Sequence, residues 1–382
     1  MFRYLTAGES HGPGLVAIVE GLPSGLEVTA EGISTELARR RLGYGRGQRM
    51  LIEKDELEIL GGVRFGKTLG SPVAVLIRNT EWPKWMDEMS PAPGATKKPL
   101  TTPRPGHADL VGMMKYDTHD ARDILERASA RETAARTVVG YLAKQLLHTA
   151  GVSVFSHVVA IGTVISDAPT PTFHDLDAID GSPVRVFDAD AEAAMIAEIE
   201  SAKAERDTLG GVVEVVVEGL LPGIGSHVHG DRRLDARLGE ALMSIQAIKA
   251  VEVGDGFATA ARRGSQAHDE IYRVDGQFTR QTNRAGGIEG GMSIGGVLRV
   301  RAAMKPISTV MRPLDTVNVV TKQAEKAFRE RSDVVAVPAA GIVAEQMVAI
   351  TVAQEMQRMF GGSTVGDFVA AVDHYRARVE AW

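Results

Sequence analysis

The chain has no cysteine among its 382 residues. Disulfides, thiolate metal sites, iron–sulfur clusters and cysteine nucleophiles are therefore excluded, and the composition suits a reducing cytoplasm. Aromatic residues are also scarce, at 5%, with three tryptophans. No long uninterrupted apolar run occurs. The longest, residues 339–353, is broken by Glu345 and Gln346, so it reads as a buried core helix and not as a membrane span. The opening MFRYLTAGES lacks a basic flank leading into an apolar run, and no secretory leader is expected. Positive charge is in slight deficit: 43 Lys+Arg stand against 49 Asp+Glu, a net charge of −6. That balance argues against a general nucleic-acid binder but leaves room for a local basic site. Apolar residues (44%) and glycine (41 residues) are what the chain has in abundance. With ample core material, no low-complexity linker and no fixed-period repeat, a soluble protein with one domain over residues 1–382 is expected.

Near-continuous apolar, β-branched stretches predict strands over residues 15–20, 57–65, 72–78, 152–165, 212–218 and 296–304, with a short edge strand over 2–7. Helical patterns predict helices over 34–42, 120–149, 189–207, 234–251, 317–330, 339–360 and 365–380. Hairpin-like strand pairs outnumber strand-helix-strand units, which favours a layered α+β architecture over a doubly wound parallel sheet. Residues 79–106 are proline-rich, contain Trp82 and Trp85 and have no period, so they form a loop. A loop of that length in a compact domain is usually either functional or disordered, and the two tryptophans favour an ordered loop packed over a site or against another subunit, with a plain surface loop as the alternative.

Several short stretches carry chemistry. In SHGPG (residues 10–14), His11 sits between Ser10 and Gly12. The glycines let a ligand approach closely, although a plain turn histidine would look the same. RRRLGYGRGQRM (residues 39–50) concentrates Arg39, Arg40, Arg41, Arg46 and Arg49 among mobile glycines. One or two of these can satisfy a helix C-terminus; all five together suit a multiply anionic small molecule held by guanidinium forks. RPGHADL places His107 after a glycine and near Arg104. Two glycine-flanked histidines with an arginine set fit a general acid acting on a phosphate leaving group. ERASARE sets Arg127 and Arg131 four apart on one helix face beside Ser129, a repulsion that either an anion or Glu126 and Glu132 would relieve. GGIEGGMSIGG (286–296) and MKPIST (304–309) suit backbone cradling of a phosphate or a flat ring. In ERSDVVAVPAAG (330–341), Asp333 is a base or a cap. His227, His229 and Asp231 of GSHVHGD could face a divalent ion if they lie on a strand, but no third partner is identifiable and no metal is expected. Walker, dinucleotide and G-x-S-x-G motifs are absent.

Taken in order, YLTAGESHGPGL, RRRLGYGRGQRM, TPRPGHADLVGMMKY, ERASARETAAR, GSQAHDE, TNRAGGIEGGMSIG, MKPIST and ERSDVVAVPAAG closely resemble chorismate synthase across nearly the whole chain. The resemblance implies a single-domain β-α-β sandwich assembled as a homotetramer. It implies an anti-1,4-elimination of phosphate from 5-enolpyruvylshikimate-3-phosphate to give chorismate, requiring reduced FMN without net redox change. By the same resemblance His11 acts near flavin N1, His107 beside the leaving phosphate and Asp333 in removing the C6 proton. Ser10, Arg40, Arg46, Arg49, Arg131 and Arg331 would bind substrate. Flavin contacts fall on Arg127, Ala128, Ser129, Gln246, Ala247, Gly290, Lys305, Pro306, Ile307, Ser308, Thr309 and Arg331. Gln246 stands where family members can carry asparagine, and Ala250 replaces a common glycine. With no appended reductase domain visible, an external flavin reductase is expected to supply the reduced cofactor, with neither nucleic acid nor membrane as partner. An anion-binding regulatory module and a metal-dependent phosphohydrolase are the alternative readings.

Overall fold

The computed structural model describes residues 2–46, 55–330 and 333–382. Arg49 and Arg331, both expected in the site, lie outside the described residues.

An antiparallel four-stranded sheet forms from β1 (Arg3–Ala7), β2 (Gly14–Glu20), β3 (Glu56–Gly61) and β4 (Val73–Arg78), in the order β1-β2-β4-β3. The two-residue side-chain period of a strand puts Leu15, Ala17 and Val19 of β2, and Val73, Val75 and Ile77 of β4, into the core. A second antiparallel sheet contains β5 (Ser153–Ile161), β6 (Val164–Ile165), β7 (Gly211–Glu218), β8 (Ile248–Val253) and β9 (Leu298–Met304), in the order β8-β9-β7-β5-β6. Val213, Val215 and Val217 line its buried face. The fold class is α+β.

The principal helices are α1 (Ala30–Arg41), α2 (Asp109–Tyr116), α3 (Arg122–Ala128), α4 (Thr133–Thr149), α5 (Ala189–Ala204), α6 (Leu234–Met243), α7 (Val337–Phe360) and α8 (Val365–Glu380). Helix α4 packs on α1, α7 and β2, while α7 lies against β5 and β7. Gly140 makes the α4–α7 approach possible, since a Cβ there would sit 2.2 Å from Gln346 Oε1. Helix α7 is long and apolar enough to cross a membrane, but 94% of its apolar segment is buried within the protein. Its interrupting Glu345 is fully buried and satisfied: Arg39 Nη1 and Lys144 Nζ each lie 2.7 Å from Oε1, and Ser156 Oγ donates to Oε2 at 2.9 Å. Burial alone would raise the Glu345 carboxyl, but the charges of Arg39 and Lys144 outweigh it and hold the group well below the usual carboxylate range.

Six expected elements are corrected. The first helix starts at Ala30, capped by Thr29 accepting from Gly32 N at 3.0 Å, not at Ser34. The continuous helix over 120–149 is interrupted, because Ser129 is extended (φ −64°, ψ 141°) and its Oγ accepts from Arg131 N, opening a 3-10 turn over Ala130–Glu132. The expected helix over 234–251 stops at Met243. Ala247 adopts φ 68°, and residues 248–253 instead pair with β9, where sheet hydrogen bonds override the local helical pattern. The expected helix over 317–330 is absent: Asp315–Val317 pairs with Ala324–Lys326 in a ribbon, and in the turn between them Asn318 Oδ1 accepts from Val320 N and Thr321 N, a local bond that competes with helix. Two expected single strands, 57–65 and 152–165, are each broken by a glycine in the left-handed region: Gly62 (φ 83°) and Gly162 (φ 56°). Helix α2 was not expected at all.

Candidate active site

The turn after β1 brings His11 back toward α3. His11 N donates to Glu126 Oε2 at 2.8 Å, and its Nδ1 lies 2.9 Å from the same oxygen and 3.0 Å from Oε1. Ser10 N donates to the Glu126 carbonyl at 3.0 Å, so backbone and side chain together lock the turn onto the helix. Arg122, one turn earlier on α3, donates from Nη1 to Glu126 Oε1 at 2.7 Å. Desolvation would raise the Glu126 carboxyl, but the contacts with His11 and the charge of Arg122 hold it below its ordinary value. Above this pair lies Trp85 from the long loop. Its ring centroid is 4.1 Å from that of His11, and the Arg122 guanidinium sits 4.8 Å from the indole. The loop does pack over one of the expected site residues.

The second histidine repeats the arrangement. His107 Nδ1 contacts the fully buried Asp109 Oδ1, and Arg104 Nε donates to Asp109 Oδ2 at 2.9 Å. Burial pushes the Asp109 carboxyl up, but the hydrogen bonds from His107 and Arg104 and their charges prevail and hold it down to about 2. Arg104 Nη1 also donates to Thr309 Oγ1 at 2.9 Å, joining this arm to the MKPIST segment. The two arms meet at Glu330. Its Oε1 lies 3.8 Å from Arg122 Nη2, and its Oε2 lies 3.9 Å from Arg104 Nη1.

A carboxylate on Nδ1 fixes the orientation of an imidazole, and an arginine on that carboxylate fixes the carboxylate in turn. Two such sets, with a single glutamate within 4 Å of both arginines, hold two oriented imidazoles able to give or take a proton. The comparisons then decide the family. The sequence model of chorismate synthase matches residues 2–357.

The chain belongs to the chorismate synthase family. It is 59% identical to the chorismate synthase of Thermobifida fusca over 98% of each chain, and 62% identical to that of Acidothermus cellulolyticus over 96% of each. A solved chorismate synthase structure superposes with a TM-score of 0.81 at 39% identity, covering 100% of this chain and 99% of the other. The chain is thus a lyase that eliminates phosphate from 5-enolpyruvylshikimate-3-phosphate to give chorismate, in aromatic amino acid biosynthesis, by a reaction without net redox change for which the family uses reduced FMN.

Other residues expected for a chorismate synthase site fall into groups. Around Ser10, Ser129 Oγ lies 3.3 Å from Ser10 Oγ. Arg40 Nε donates to Thr133 Oγ1 at 2.9 Å and its Nη2 to the Ala130 carbonyl at 2.9 Å, which seats it in the break between α3 and α4. Arg131 contacts Asp55 Oδ1 at 2.6 Å. Arg46 and Asp333 pair at 3.1 Å. Around Glu132, Arg127 Nη2 lies 3.8 Å from Oε1, and Gln246 Nε2 donates to Oε2 at 3.3 Å. Arg127 also donates to the carbonyls of Gly8 and Thr6, at 3.0 and 2.9 Å, and Ala128 ends α3 beside it. Ala247, next to Gln246, accepts from Lys305 N at 3.0 Å. Lys305 Nζ reaches the carbonyl of Gly106, adjacent to His107. Lys305, Pro306, Ile307 and Ser308 then line a 610 Å³ cavity whose far wall carries Glu205 and Asp207. Gly290 lies in the turn of the ribbon Ile288–Glu289/Met292–Ser293, and the structure links it to α6, where Leu234 N donates to the Gly291 carbonyl at 2.8 Å. His227 and His229 occupy an exposed bend and not a strand face, and among the described residues no group of three metal-ligating side chains occurs.

Two observations bear on FMN. Gln246 Oε1 is buried without a hydrogen-bond partner among the described residues, so an acceptor awaits a donor such as a ring N–H. Lys305 and Ser308 present a cation and a hydroxyl, the groups that hold a phosphate, to an open cavity that Glu198, Glu205 and Asp207 also line. The residues present fit the cofactor.

Sequence reasoning missed Glu126, Asp109, Arg122, Glu330 and Asn79. Glu126 and Asp109 were in view, inside ERASARE and RPGHADL; their pairing with particular histidines was not. Glu330 opens the motif ERSDVVAVPAAG, but nothing in the motif points to its two arginine partners, and Arg122 carries no local signal.

Proposed function

We propose that His11 and His107, each held by its own carboxylate, are the proton-handling groups of the elimination, and that reduced FMN binds beside them. The observation that carries this reading is the repeated arrangement of imidazole, buried carboxylate and arginine at His11–Glu126–Arg122 and His107–Asp109–Arg104. His107 donates a proton or hydrogen bond to the departing phosphate, neutralising charge as the C–O bond breaks. His11 holds the cofactor in its productive charge state, Ser10 helps to seat the substrate, and Asp333 receives the C6 proton. Arg40, Arg46, Arg49, Arg131 and Arg331 bind the phosphate and two carboxylates of the substrate.

Arg127, Ala128, Ser129, Gln246, Ala247, Gly290, Lys305, Pro306, Ile307, Ser308, Thr309 and Arg331 hold FMN, with Lys305 and the hydroxyls at its phosphate. Reduced FMN, when bound, supplies electron density to the substrate transiently and recovers it. The protein's part is to bind, orient and exclude water and oxygen. Helices packed against both sheets support a single-domain, layered β-α-β sandwich over 1–382. The active form is a cytoplasmic homotetramer supplied with reduced flavin by an external reductase, with neither nucleic acid nor membrane as partner.

The test is phosphate and chorismate release from 5-enolpyruvylshikimate-3-phosphate under anaerobic conditions, with chemically reduced FMN, oxidised FMN or no flavin. Turnover confined to the reduced arm supports the cofactor assignment. Unchanged turnover in His11→Asn and His107→Asn removes the site assignment. Anaerobic turnover driven by NADPH with the purified protein alone removes the external reductase.

A further inference from the structure

Among the described residues, Glu330 is the one carboxylate within ion-pair reach of both arginines that brace the histidine carboxylates: 3.8 Å from Arg122 Nη2 and 3.9 Å from Arg104 Nη1. Each arginine has its stronger contact elsewhere, Arg122 with Glu126 at 2.7 Å and Arg104 with Asp109 at 2.9 Å. Glu330 therefore does not anchor either arm; it lies between two already anchored guanidinium groups and attracts both. Its side chain is 27% exposed, so it is not a core charge whose removal would collapse the fold. Both arginines also rest on aromatic rings, Arg122 at 4.8 Å on Trp85 and Arg104 at 4.7 Å on Phe328. Phe328 is only two residues before Glu330, so the same segment supplies both the ring under Arg104 and the bridging charge.

We propose that Glu330 is a positioning residue that couples the two histidine arms, so that a change of charge on one imidazole is transmitted through Arg122, Glu330 and Arg104 to the other. In an elimination that loses a proton at one end of the substrate and a phosphate at the other, such a link keeps both arms in register during one catalytic cycle. Among the described residues, the groups facing His11 include Glu126, Trp85 and, through Glu126, Arg122; those facing His107 include Asp109, Arg104 and, across Gly106, Lys305. Glu330 is outside both sets and reaches each only through an arginine. The catalytic meaning of the coupling rests on the site reading above; the coupling itself does not.

The experiment is side-chain NMR titration of the full-length protein with ¹⁵N-labelled histidine, in wild type, Glu330→Gln and Glu330→Asp, alongside steady-state turnover with reduced FMN. Removing the negative charge makes each imidazolium less favourable. The ring signals of both His11 and His107 should therefore shift between wild type and Glu330→Gln across the titration. Glu330→Asp should recover most of the shift. In turnover, kcat should fall by about tenfold while KM stays within about twofold, since Glu330 would touch neither ligand directly. A shift at only one histidine, or at neither, overturns the coupling. Shifts at both histidines in a protein whose His11 and His107 variants turn over normally would sustain the coupling and remove the catalytic reading instead.

Discussion

Asn79, at the end of β4, joins the SHGPG turn to Arg131. Its Oδ1 accepts from both Nε and Nη2 of Arg131 at 3.1 Å, while its Nδ2 donates to the carbonyls of Glu9 and Gly12 at 3.1 and 2.8 Å. One buried amide thus sets the position of His11 relative to the arginine-rich break between α3 and α4. Asn79→Ala leaves these carbonyls and part of the guanidinium short of partners, and it should destabilise the protein by about 1–3 kcal/mol. Urea denaturation of the two proteins measures the difference, and a change near zero would show that water replaces the amide.

His11→Asn should lower kcat on the order of a hundredfold, the low end of what a positioned proton-transfer group contributes. Glu126→Gln keeps the shape but loses the charge that orients His11 and binds Arg122, and its loss should be in the same direction and smaller. Pre-steady-state phosphate release with reduced FMN reads both, and equal rates in Glu126→Gln and wild type would leave the carboxylate a purely structural role.

Asp109 makes stability depend on pH at the acid end. Its carboxyl is held at about 2 in the folded protein against an ordinary 3.8, so the unfolded chain binds the proton more readily. The resulting stabilisation, about 2 kcal/mol, is fully present above about pH 5, about one unit above the unfolded value, and is lost as pH falls through the folded value near 2. The stability gap between wild type and Asp109→Asn should accordingly narrow between about pH 5 and pH 2. A gap that stays constant over that range, measured by denaturant unfolding, would show that Asp109 is not ionised in the folded state.

Glu345→Ala removes the carboxylate shared by Arg39, Lys144 and Ser156 at the centre of the helix layer. The buried charges left behind make a loss of about 3–5 kcal/mol the expected result. Thermal unfolding compares it with Glu345→Gln, which retains an acceptor and should lose less.

Gly140→Ala would place a methyl 2.2 Å from Gln346 Oε1 and 2.3 Å from its Cβ, forcing α4 and α7 apart. Overpacking of this kind costs about 1–3 kcal/mol, and a folded protein with unchanged stability would mean that the helix pair can slide.

Much of this molecule can be read along the chain. The alternation in Leu15–Val19 and Val73–Ile77 and the apolar content of residues 339–353 are local consequences of side-chain period. The motifs that carry the family are local too, and so is the crowding of arginines from Arg39 to Arg49. Where local preference and sheet pairing disagreed, pairing won: residues 248–253 have a helical pattern but are a strand, because β9 offers them backbone partners.

By itself, then, the sequence determined which chemical groups are present, most of the strands and the buried helix, because those follow from neighbours a few residues away. Only the tertiary structure decided which carboxylate serves which histidine. His11 meets Glu126 across 115 positions of chain, and Ser129 ends a helix so that Arg131 and Arg40 converge on one break. Coulomb attraction and hydrogen bonding act over a few ångströms of space, irrespective of how much chain separates the partners, so a pairing between segments that distant is set by packing.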